Sequence, residues 1–129
     1  MDMKLELVPI PVSDVDRARA FYVEKLGFNL DHDVQPGNGM RVVQLTPPGS
    51  ACSIVIGTGM SEISEMRPGS IKGLHLVVAD INKAHAEFAG RGVAVSAIDE
   101  YPGGIKYVYF SDLDGNSWVL QEISANHLS

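Results

Sequence analysis

Ile105–Ile123 reads IKYVYFSDLDGNSWVLQEI, and its reading decides the fold. Ile105–Ser111 and Ser117–Ile123 are rich in β-branched and aromatic residues, the composition of strands. Between them lies Asp112-Leu113-Asp114-Gly115-Asn116. Asp-Gly followed by Asn tolerates positive φ, so the chain can reverse there. The stretch therefore predicts a β-hairpin. Asp112 and Asp114 also look like the start of a calcium loop, but the Gly comes too early for an EF-hand, and the turn reading is preferred.

Working outward, the hairpin closes a unit that the chain has already used once. Gly73–Val78 predicts a strand. Asp80 caps a helix with apolar positions Ile81, Ala84 and Phe88, ended by Gly90 and Gly92. Val93–Ile98 predicts another strand, and Pro102-Gly103-Gly104 a turn. In the first half, Lys4–Val12 predicts a strand. Ser13 or Asp14 caps a helix carrying Val15, Ala18, Phe21, Tyr22 and Leu26, and Gly27 stops it. Strands follow at Phe28–Val34, Met40–Leu45 and Cys52–Ile56. Asp14 matches Asp80, Tyr22 matches Phe88, Pro36 matches Pro102 and Gly49 matches Gly115, each pair 66 positions apart. A constant offset that aligns caps, turns and hairpin glycines marks an internal repeat. The expectation is one α+β domain over residues 1–129. It is built of βαβββ modules 4–56 and 70–123 in tandem, joined by a linker at 57–69, and forms a curled mixed sheet with a concave cavity.

Pro9 and Pro11 lie two apart in the first strand, so one side of it lacks two donors, and it must be an edge. That edge, with the apolar rims of curled sheets, leads to the expectation of a homodimer.

Composition narrows the function classes. With 129 residues and 45% hydrophobic content the chain can bury a sizeable core. The net charge is −6, and Lys and Arg are scattered, which argues against a nucleic-acid partner. No apolar run is long enough to span a bilayer, so no membrane partner is expected. Cys52 is the only cysteine, and a reducing cytoplasm is the simplest compartment.

The last hairpin, together with VSDVDRARAFYVEKLGF at Val12–Phe28, resembles the vicinal oxygen chelate superfamily of glyoxalase, bleomycin-resistance and extradiol-dioxygenase proteins. The resemblance covers nearly the whole chain and implies two βαβββ units around a concave cavity. It also implies four metal-ligand positions on the concave face, normally filled by His, Gln or Glu. One lies seven residues before each capping Asp and one lies four residues after each hairpin Gly. Here those positions are Leu7, Gly73, Ser53 and Val119. A catalytic metal needs about three N, O or S ligands, so no cofactor is expected. A register displaced by two would offer His75 and Gln121 as an alternative divalent-metal set.

His75 is either a core histidine bonded to backbone or a polar group aimed at a ligand. Gln121 shares a face with Val119 and needs partners if buried. If Val108, Phe110, Trp118 and Leu120 pack under the helix, Tyr107 and Tyr109 face the cavity. The repeat aligns Phe110 with Gln44, which leaves the opposite assignment open. His32, His85 and His127 have no partner at ligand spacing, and His85 is expected to face solvent. The ligand-binding candidates are therefore His75, Gln121, Val119, Tyr107, Tyr109 and Ser53.

The leading functional expectation is a protein that binds a small hydrophobic or aromatic molecule in the cavity without a metal, like the drug-sequestering members of the resembled superfamily. The alternative is a metal-dependent lyase, isomerase or dioxygenase with a displaced site. A third reading is a metal-free enzyme with His75 as base and a tyrosine as acid.

Overall fold

The computed structural model describes residues 1–123, and the turn at its centre is built by Asp112. The Asp112 carboxylate accepts from the backbone N–H of Asp114 (3.0 Å) and of Asn116 (2.9 Å). Gly115 takes a φ of 95°, a region that other residues avoid. Asn116 is fully buried, and every polar atom of its amide is engaged. Its Nδ2 donates to Pro11 O and to Asp112 Oδ2, each at 2.8 Å, and its Oδ1 accepts from Ile71 N at 3.1 Å. Asp112 and Asp114 thus serve the turn. The D-L-D-G-N motif also fastens this hairpin to the end of the first strand and to the chain entering the second half.

The elements are β1 (Leu7–Pro9), α1 (Val15–Ala20), β2 (Asn29–Gly37), β3 (Met40–Thr46), β4 (Ser53–Thr58), α2 (Glu62–Glu65), β5 (Leu74–Val77), α3 (Ile81–Gly90), β6 (Asp99–Tyr101), β7 (Ile105–Ser111) and β8 (Ser117–Ile123). They form two four-stranded mixed sheets, ordered β1-β4-β3-β2 and β5-β8-β7-β6, each with one parallel pair. This is the α+β tandem-module fold anticipated above, and neither sheet closes on itself. Asp14 and Asp80 are the N-caps of α1 and α3, accepting from Arg17 N and Lys83 N at 3.1 Å. After α1, residues Phe21–Lys25 widen into a π turn closed by Leu26 N on Phe21 O.

Helices cover one face of each sheet, α1 against β4 and α3 against β7 and β8. Val43, Leu45, Ile54 and Ile56 from the first sheet and Val108, Phe110, Trp118 and Leu120 from the second face the helices in one continuous core. Each such side chain contributes about 1.5–3 kcal/mol through burial. Tyr22, with no exposed surface, joins the halves. Its hydroxyl donates to Asp112 Oδ2 (2.7 Å) and accepts from Trp118 Nε1 (3.0 Å). Its ring lies 5.5 Å from Phe28 and 5.9 Å from Trp118.

Several expected elements move. The first strand keeps a ladder only over Leu7–Pro9. Ile10 N still reaches Val55 O, and β1 is an edge of its sheet. The stretch expected to be a linker holds the end of β4 and the short α2. Val93–Ile98 is not a strand; the strand falls on Asp99–Tyr101. The reason lies at Ser96. Its N–H donates to Tyr109 O, but the Tyr109 N–H is met by the Ser96 hydroxyl (2.9 Å) in place of a backbone carbonyl, so the ladder is not continued.

Candidate functional site

The parity of β7 and β8 settles which face carries the candidates. With Val108, Phe110, Trp118 and Leu120 toward the helices, Tyr107, Tyr109, Val119 and Gln121 share the opposite, open face. Gln44 does not contradict this. It stands opposite Val55 as Tyr107 stands opposite Gln121, because the β3–β4 connection is longer than the β7–β8 hairpin. Gln44 therefore corresponds to Tyr107, and Phe110 has no polar counterpart in the core.

The first-strand positions shift. Leu7 pairs with Ser53 in the first sheet, and His75 pairs with Val119 in the second. His75, not Gly73, is the ladder equivalent of Leu7. Pro9 precedes its capping Asp14 by five positions, whereas Val77, its equivalent, precedes Asp80 by only three. Counting back from the cap thus lands two residues early. Gly73 lies outside β5 with a φ of 76°.

The open face is sheltered in the middle and exposed at its margins. Ser53, Val55 and Val119 on the central strands β4 and β8 are buried. Leu7, Val34 and Val77 on the edge strands β1, β2 and β5 are 39–69% exposed, and Tyr109 on the inner strand β7 is 39% exposed, the pattern of a curved trough. Along the second sheet runs an aromatic row. The His75 ring meets Tyr107 edge-on at 5.7 Å, and Tyr107 lies 5.3 Å from Tyr101 and 6.2 Å from Tyr109. The Tyr101 and Tyr109 hydroxyls are 3.4 Å apart. That hydrogen bond, with a lesser contribution from desolvation, pushes the Tyr109 phenol up to about 12. Tyr101 was not among the sequence candidates. The three-residue turn after it was the available signal, since it sets Tyr101 opposite Ile105, one row from Tyr107.

Ser53 belongs to a polar string on the first sheet. Its hydroxyl lies 2.6 Å from Thr46 Oγ1 and accepts from Gln44 Nε2 at 3.4 Å, and Thr46 donates to Asp31. Sequence reasoning missed Gln44, Thr46 and Asp31, which only the β2–β3–β4 pairing brings beside Ser53. Ser53 and His75 come together where the two sheets meet. There, with Val8, Cys52, Leu74 and Leu76, they line a cavity of about 220 Å³. A larger cleft of about 930 Å³ runs beside the β7–β8 hairpin, where Val119 and Tyr109 join Phe21, Phe110, Trp118 and Lys72. The candidates therefore divide between these two spaces, with Tyr107 beside His75 and Gln121 opposite Tyr107 on the trough.

The other histidines serve elsewhere. His85 does not simply face solvent: half-buried, its Nε2 bonds Ser96 O at 3.0 Å and ties α3 to the segment flanking β7. His32 is exposed opposite Gln44. His127 lies outside the described residues. Among the described residues no three His, Cys, Asp or Glu side chains converge as a metal centre would require. The four ladder positions Leu7, Ser53, His75 and Val119 offer one imidazole and one hydroxyl. That set does not fit a catalytic divalent ion, which takes about three firm ligands.

The tandem βαβββ fold places the chain in the class of small glyoxalase-like proteins. The profile of the Glyoxalase/Bleomycin resistance protein/Dioxygenase superfamily matches residues 4–120, and the chain belongs to that superfamily. Among solved structures it is similar to TnmS3, an antibiotic binding protein from Streptomyces sp. CB03234. The two are 38% identical over 95% of this chain and 98% of that one, with a TM-score of 0.81. A glyoxalase/bleomycin resistance protein from the same Streptomyces strain is 39% identical over 91% and 98%, with a TM-score of 0.76. A superfamily member from Sphaerobacter thermophilus DSM 20745 is 33% identical over 94% and 98%, with a TM-score of 0.81. A comparison with curated proteins found no match. Among the described residues no helix is long and apolar enough to cross a membrane.

Proposed function

We propose that this chain binds a small, largely apolar or aromatic molecule on the open trough of its second sheet, and does so without a divalent metal. The observation that carries the reading is the pairing of Leu7 with Ser53 and of His75 with Val119, which leaves only one imidazole and one hydroxyl at the superfamily's four ligand positions. An aromatic row takes up the space beside them. A preformed apolar wall with a few polar groups is the usual make-up of a small-molecule site. The likeness to a protein described as antibiotic binding supports the same class of guest.

In this reading the tyrosine faces and Val119 supply apolar contact, Gln121 and His75 orient the guest, and Ser53 supplies a hydroxyl at the junction of the sheets. The exposed Leu7, Val34, Val77 and Tyr101 form apolar margins that a second copy of the chain would cover, making a homodimer. The lone thiol of Cys52 suits a cytoplasmic protein. Fluorescence titration with hydroxypyrene tests the site. Saturable binding that Gln121→Ala weakens by about 1–3 kcal/mol is expected, the effect of leaving a buried polar group unpaired. Binding that is indifferent to substitution at Gln121, Tyr107 and Tyr109 alike would place the guest elsewhere.

A further inference from the structure

We propose that the Gly73 carbonyl fixes His75 as its Nδ1–H tautomer, so that Nε2 is a hydrogen-bond acceptor selecting guests with an acidic aromatic hydroxyl. The inference rests on the reading of the second trough as a small-molecule site and names the chemistry that site prefers.

His75 Nδ1 lies 2.8 Å from Gly73 O. A carbonyl oxygen carries no proton, so in a neutral ring the proton of this bond must sit on Nδ1, and Nε2 keeps its lone pair. His75 is exposed, and Nε2 has no partner among the described residues. Tyr107, meeting the imidazole edge-on at 89°, limits how the ring can turn. The basic nitrogen of the candidate set is therefore presented outward.

Gly73 explains how this is arranged. Its φ of 76° turns the chain just before β5, while its N–H donates to Ser117 O (3.1 Å) and Ser117 Oγ (2.8 Å). A Cβ built there would meet nothing within 4 Å. Space does not require glycine here; the left-handed backbone that aims the carbonyl under the imidazole does.

Tyr107 and its neighbours Tyr101 and Tyr109 give a flat ring surfaces to lie against. The Tyr109 phenol keeps its proton well above neutral pH and remains a donor. An aromatic hydroxyl is acidic enough to pair well with an imidazole lone pair, and it brings the ring that those tyrosines accommodate. An ether at the same position has no proton to give and would leave Nε2 buried and unpaired.

Two measurements on the full chain decide the matter. Nitrogen NMR of isotopically labelled protein at neutral pH, with the His75 signal assigned by its loss in His75→Gln, should show the Nδ1–H form. An Nε2–H or doubly protonated ring overturns the proposal. Titration with hydroxypyrene and with its methyl ether should favour the hydroxyl compound on the order of tenfold. The preference should collapse in His75→Phe while both compounds still bind. Gly73→Ala, which keeps the histidine, should move it toward the Nε2–H form and lose the same preference. Equal affinity for the two compounds in the wild type refutes the selectivity and leaves the binding site standing. Failure of both to bind removes the site, and this inference with it.

Discussion

Tyr22→Phe removes one oxygen from the middle of the molecule, and the structure sets the size of the loss. The hydroxyl donates to the buried Asp112 carboxylate at 2.7 Å and accepts from the Trp118 indole at 3.0 Å. Without it the Trp118 N–H, in a residue only 3% exposed, loses its Tyr22 acceptor in a place water scarcely reaches. An orphaned buried donor costs about 1–3 kcal/mol, and a bond to a charged acceptor is worth about 1.5–3 kcal/mol. Asp112 keeps three other donors, from Asp114 N, Asn116 N and Asn116 Nδ2, and Phe is easier than Tyr to bury. The net loss should be about 2–3 kcal/mol, moving the urea midpoint down by about 1 M with the slope unchanged. Burial first, and the Asp112 carboxylate second, hold the Tyr22 phenol well above its ordinary range. A raised folded-state pKa contributes stability that is complete below the unfolded value near 10 and lost as pH rises. The gap between wild type and variant should therefore narrow above pH ~10, by up to about 1.4 kcal/mol per pH unit. A loss under about 1 kcal/mol at neutral pH, or a gap that stays constant into strong alkali, refutes the reasoning.

Two further predictions concern the frame. Asp33 accepts from Arg41 (3.0 and 3.1 Å) and from Arg19 (2.5 Å), and chiefly the Arg41 hydrogen bonds hold its carboxyl below the usual range. Asp33→Asn should cost about 1 kcal/mol or less at neutral pH, as surface pairs do. Because the folded-state pKa is depressed, that cost is present above the ordinary carboxyl range and should vanish as pH falls through the folded value, which acid titration of both proteins by circular dichroism checks. Gly69→Ala would set a Cβ 2.1 Å from Asp114 O at a φ of 80°, whereas Gly49→Ala has the same kind of φ and an empty surround. Thermal melts should show the first losing well over ~2 kcal/mol and the second about 1 kcal/mol; equal losses would mean that the Asp114 contact is not rigid.

What could be read from the sequence was local chemistry repeated twice. Asp14 and Asp80 announce themselves as caps by type and spacing, and the Asp112–Asn116 turn by its Asp-Gly-Asn. The alternation of Tyr and Phe in β7 was legible once Trp118 and Leu120 were taken as core. What escaped were differences between the repeats. A connection shortened by two residues before Asp80 moves the ladder from Gly73 to His75, and a fixed offset cannot register that. Ser96 closes a bond with its side chain where a strand would use backbone, which hydrophobic pattern does not encode. Tyr22 finds Asp112 90 positions away, a pairing that no local signal carries. Tyr101 and the Ser53–Thr46–Asp31 string depend in the same way on cross-strand register.

A site that works without a metal should bind its guest equally well whether or not divalent ions are present, and one titration tests that directly. The binding of hydroxypyrene should be measured on protein stripped with a chelator and again after saturation with zinc, manganese, iron, nickel or cobalt. The same Kd in every preparation, with no metal retained after desalting, is the predicted result. Binding that appears only when one of these ions is restored, with that ion held in near-stoichiometric amount, would contradict the account.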